Sequence, residues 1–157
     1  MQEPNKTEPQ TFSFSYKEWG RTLNRVYAKD GCKTKLRVKR NRRRLFKKED
    51  TFRCKLNEYV IYAGRINKAG GVESITAIGS SDGAKDSGKA MLYGFILLIN
   101  SLFPDYDDKD IVYILKHLKL LGKKRVQSNS SIAVDGVHYK LHHNQVGVML
   151  TVTPHQK

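Results

Sequence analysis

Residues 73–103 read ESITAIGSSDGAKDSGKAMLYGFILLINSLF: a strand-like run, a glycine-containing junction and a long apolar stretch. The junction GAKDSGKA, residues 83–90, nearly spells G-x-x-x-x-G-K-[ST], the loop that cradles nucleotide phosphates between a strand and a helix. A true loop of this kind would place the segment in a parallel α/β sheet. Its last position must supply a hydroxyl to a metal ion, and here that position is Ala90. Asp86 also puts a carboxylate where phosphate charge would sit. The run before the junction pairs more economically with Tyr59–Ile66 across the turn Asn67-Lys68-Ala69-Gly70-Gly71, giving an antiparallel hairpin. The junction therefore reads as a helix start, capped by Asp86 or Ser87, for a buried helix from about 87 to 103 that Pro104 ends.

Working outward, Ser15-Tyr16-Lys17-Glu18 fits a capping box, and Trp19, Leu23, Val26 and Tyr27 recur at helical spacing up to Asp30-Gly31. After the apolar helix, Asp107 or Asp108 can cap a second one, whose Ile111, Ile114, Leu115 and Leu118 form a stripe before Gly122. Alternation returns at Ile132–Val134, Val137–Leu141 and Val146–Val152, with turns at Asp135-Gly136 and His143-Asn144-Gln145. Residues 1–11 are a polar leader expected to be disordered. The fold expected for 12–157 is a single α+β domain: an antiparallel sheet with an N-terminal helix and two consecutive central helices packed on it, in a helix-grip-like arrangement.

The net charge of +14 is the strongest global signal, because it steers the chain toward anions. Most of it lies in one segment: between Lys33 and Lys55 there are twelve Lys or Arg residues against two acids. Period-two alternation sets Cys32, Thr34, Leu36 and Val38 on one side and Lys33, Lys35, Arg37 and Lys39 on the other. Phe52, Cys54 and Leu56 alternate likewise with Arg53 and Lys55. A basic β-hairpin over 32–57 follows, with Arg40, Arg42, Arg43 and Arg44 at its tip. If its loop centres on Arg43, Cys32 faces Cys54, close to disulfide range.

No cofactor or metal is expected. His138, His142 and His143 are interrupted by Lys140, and Asp105, Asp107, Asp108 and Asp110 lack the glycine and terminal glutamate of a calcium loop. No nucleophile signature marks an enzyme. The expected function is a non-catalytic binding protein that docks an acidic protein or an envelope polyanion through the cationic hairpin. A nucleic-acid-binding protein using the same residues on phosphates is the alternative, and a nucleotide-binding enzyme built on GAKDSGKA ranks third. The polar leader and pairable cysteines favour a periplasmic or secreted protein, with the cytoplasm as the alternative. No stretch is long enough for a transmembrane segment.

Overall fold

The first helix, α1 (Tyr16–Lys29), begins where its local chemistry requires. The Ser15 hydroxyl accepts from the Glu18 amide and the Glu18 carboxylate accepts from the Ser15 amide, satisfying two otherwise orphaned groups at the helix start. Its inward stripe, Trp19, Leu23 and Val26, is buried. The computed structural model describes residues 10–41, 50–80, 85–121, 129–144 and 147–155, and of the leader Gln10 and Thr11 alone fall within them. The next residue, Phe12, donates its amide to the Val72 carbonyl.

The strands are β1 (Val38–Asn41), β2 (Asp50–Lys55), β3 (Val60–Ile66), β4 (Val72–Gly79), β5 (Ser130–Val134), β6 (Val137–Asn144) and β7 (Gly147–Pro154), with α2 (Lys85–Leu102) and α3 (Asp108–His117) between β4 and β5. They form one antiparallel sheet in the order β1-β2-β3-β4-β7-β6-β5. The chain is thus an α+β domain with an N-terminal helix and two later helices, as its patterning implies.

The β3–β4 turn is organised by Asn67, whose side-chain oxygen accepts from the Ala69 and Gly71 amides. The β5–β6 turn places Asp135 and Gly136 at φ of 50° and 79°.

The helices share one face of the sheet. Trp19 packs against Phe52 and Tyr62 and donates its indole N–H to Ser101 Oγ (2.8 Å), which in turn donates to the Leu98 carbonyl. On α2, Phe95, Leu97, Leu98 and Ile99 are buried. The helix comes close to β3 at Gly94, where a Cβ would stand 2.7 Å from a Val60 methyl. The Tyr62 hydroxyl donates to the buried Gly94 carbonyl there (2.6 Å), and burial pushes the ionisation of Tyr62 well above its usual range. α3 carries the Asp107/Asp110 capping box and buries Ile111, Ile114 and Leu115.

Several expectations are corrected. α2 starts at Lys85, so Asp86 and Ser87 lie inside its first turn, where Ser87 is buried. α3 ends at His117, with Leu118 as its cap and Lys119 at φ 60°, several residues before Gly122, which lies outside the described residues. His143 and Asn144 belong to β6, and the remainder of the turn expected there lies outside the described residues.

The largest correction concerns 32–37, which is not a strand. This segment runs back along α1, with the Cys32 amide on the Tyr27 carbonyl and both backbone groups of Leu36 held by the Asn24 side chain. The helix satisfies these groups before β2 can. The hairpin register then pairs Val38 with Cys54 and Lys39 with Arg53. Cys54 faces Val38, six residues past Cys32, and both thiols are free. The disulfide thus drops out as a reason to place the protein in an oxidising compartment.

Candidate functional site

The cationic segment lies at one edge of the sheet, because β1 is the outermost strand. Lys39 and Arg53 are directly opposed across β1 and β2, and both are exposed on the face away from the helices. Lys55 follows two residues along β2 on that face, while Lys33, Lys35 and Arg37 are exposed on the segment leading into β1. The ribbon is shorter than expected, yet its cations still reach solvent. None of Lys35, Arg37, Lys39, Arg53 or Lys55 is ion-paired among the described residues.

Arg40 behaves differently. Alternation turns it toward α1, where its guanidinium pairs with Asp50 (2.5 Å) and lies 5.8 Å from the centroid of the Tyr16 ring. The Asp50 carboxylate raises its ionisation further. This arginine closes the side of the hairpin and is not available to an external anion, contrary to its expected place at the tip. Arg42, Arg43 and Arg44 lie outside the described residues.

Two grooves flank the edge. One, of about 510 Å³, opens on the helix-free face between Arg37, Lys39, Arg53 and Lys55. The other, of about 890 Å³, runs between β1 and α1, whose Lys17, Arg21 and Arg25 form its far wall. Lys35, Leu36, Arg37 and Lys39 line both, so the two grooves flank the same stretch of chain. Among the described residues, no Asp or Glu lines either one.

Sequence reasoning missed the contribution of α1. The signal was there: Lys17, Arg21 and Arg25 recur every four residues, the spacing that stacks side chains along one helix flank. That flank turns toward the cations of 35–39 because 32–37 folds back along the helix.

The other constellations are placed as follows. The strand before GAKDSGKA, β4, is antiparallel to both β3 and β7, and so lacks the parallel neighbours of a phosphate-loop fold. His138 and His142 share the helix-free face with Lys140 between them, whereas His143 turns the other way and its Nε2 is buried with no hydrogen-bond partner among the described residues. Among the described residues no three His, Cys, Asp or Glu side chains converge on a point that could hold a metal ion, and no helix is long and apolar enough to cross a membrane.

Comparison with known protein families, curated proteins and solved structures finds no match for this chain.

Proposed function

We propose that this protein is a non-catalytic binding module that docks an acidic macromolecule, with a carboxylate-rich protein surface as its partner, on the cationic edge formed by β1, β2 and α1. The observation that carries this reading is the pair of grooves that share Lys35, Arg37 and Lys39 and have no acidic residue on their described walls. Like charges directly opposed in a sheet are destabilising, so the Lys39/Arg53 pair is a cost the free protein bears. An anion bridging the two would remove that cost. Arg and Lys also carry apolar stems, and Leu36 and Ile61 add apolar surface at the groove floor, which suits a polypeptide better than a bare phosphate backbone.

The test is titration with poly-L-glutamate and, separately, with duplex DNA of unrelated sequence, across a salt series. Polyglutamate should bind at low salt, weaken as salt rises, and be lost in the variant Lys35→Glu, Arg37→Glu, Lys39→Glu, Arg53→Glu with the fold retained. Binding to DNA without binding to polyglutamate would transfer the site to the nucleic-acid reading. Binding to neither at low salt would end both.

A further inference from the structure

Resting on that reading, we infer that the partner supplies an extended acidic segment that adds to the free edge of β1 as an eighth strand, seated in the groove between β1 and α1.

Among the described residues β1 is outermost in the sheet and pairs only with β2, so alternate N–H and C=O groups of Val38–Asn41 point along the other edge. An unpaired strand edge is a template for another chain. The larger groove follows this edge, with the flank of α1 as its opposite wall.

At one end of the groove the pairing is already made in miniature. The Asn24 carboxamide donates to the Leu36 carbonyl (2.9 Å) and accepts from the Leu36 amide (2.7 Å), presenting donor and acceptor as a peptide group of a neighbouring strand would. A segment continuing from that point along β1 would extend the same two-point contact.

The charges select the occupant. Side chains of an added strand project alternately to the two faces of the sheet. One set would meet Lys17, Arg21 and Arg25 on α1, and the other would lie beside Lys39 on the helix-free face. Acidic residues at either set find cations. A second copy of this chain would instead bring its own Lys39 and Arg37 against them, so the edge repels itself. The opposite edge of the sheet, β5, has the sequence SSIAV and offers an added acidic strand no charge.

The experiment uses the full chain and a synthetic peptide of alternating Glu and Val, followed by amide hydrogen exchange. Alternate amides within Val38–Asn41 should exchange about tenfold more slowly with the peptide bound, while those of β5 are unchanged. The same peptide N-methylated at two adjacent central residues keeps its charge but cannot pair through either edge. It should bind about tenfold more weakly, the loss of one or two backbone hydrogen bonds. Equal binding by both peptides, with β1 exchange unaltered and binding still abolished by Lys35→Glu, Arg37→Glu and Lys39→Glu, would overturn strand addition and leave charge docking intact. If neither peptide nor polyglutamate binds at low salt, strand addition and the underlying function fall together.

Discussion

The ring of Phe52 occupies the space that a side chain on Gly64 would need. The two residues are opposed across β2 and β3, and a Cβ on Gly64 would stand 2.1 Å from two ring carbons of the fully buried Phe52. Glycine is thus the condition for placing an aromatic ring between β3 and Trp19. Gly64→Ala should destabilise the fold by about 2–3 kcal/mol, because the ring must leave its position in a packed core. Urea unfolding with an unchanged slope would measure this, and a loss below about 0.5 kcal/mol would mean the core yields easily there.

The opposed Lys39 and Arg53 make stability and binding diverge. Arg53→Glu converts a like-charge pair into an opposite-charge pair and should stabilise the protein by about 0.5 kcal/mol. The same change should weaken polyglutamate binding. A variant that melts higher and binds as well as the parent would contradict the assignment of Arg53 to the docking surface.

Asn24 makes three hydrogen bonds, to the Gly20 carbonyl and to both backbone groups of Leu36. Asn24→Ala should cost about 1–3 kcal/mol and leave the Leu36 amide open to exchange, since the backbone groups of the buried Leu36 lose their partners. Asn24→Asp should fall between the two, because a carboxylate still accepts from the Leu36 amide but cannot donate to its carbonyl. Hydrogen exchange at Leu36 reads the effect directly.

The two thiols should differ sharply. Cys54 is buried, and that burial pushes its thiol up to about 11, so little thiolate forms near neutral pH. Cys32 is only half-buried. An aromatic disulfide reagent at mild alkaline pH should label one thiol per native chain and two after denaturation. A mass measured without reductant that is lower by two hydrogens would instead demonstrate a Cys32–Cys54 bond.

Acid should destabilise the fold partly through His138. Burial, with His155 and Lys140 nearby, holds its ionisation below the ordinary 6.5. As pH falls through that value the unfolded chain takes up the proton first, so stability is full above about pH 7 and declines below it until the folded imidazole also titrates. His138→Gln should flatten this part of the stability profile. An unchanged profile between wild type and variant would remove His138 as its source.

Elements defined by local chemistry were legible in the sequence. Capping residues marked the starts of α1 and α3, Asn67 and Asp135-Gly136 marked turns, and alternation placed Phe52 and Cys54 on the helix side of β2. What alternation cannot supply is a partner. Between Lys33 and Lys55 there is no glycine or proline to fix where the chain reverses, so the loop centre was three residues away from its expected place. An even displacement of the pairing preserves which side chains face inward, which is why the cations still face solvent although Cys32 and Cys54 no longer meet. The α1 wall of the site escaped notice for a related reason. Lys17, Arg21 and Arg25 read as an ordinary solvated flank until residues 32–37 are seen folding back beside them.

The chain has a single indole, and it sits at the junction where α1 meets α2, inaccessible to water and tethered to Ser101. Its emission therefore monitors one event, the seating of the first helix, with no second fluorophore of its kind to confuse the signal. A blue-shifted spectrum that moves to the red before the sheet melts would identify that helix as the earliest part to detach. The wall of the larger groove would then be gated by the same motion, and the protein carries an optical gauge of it without any added label.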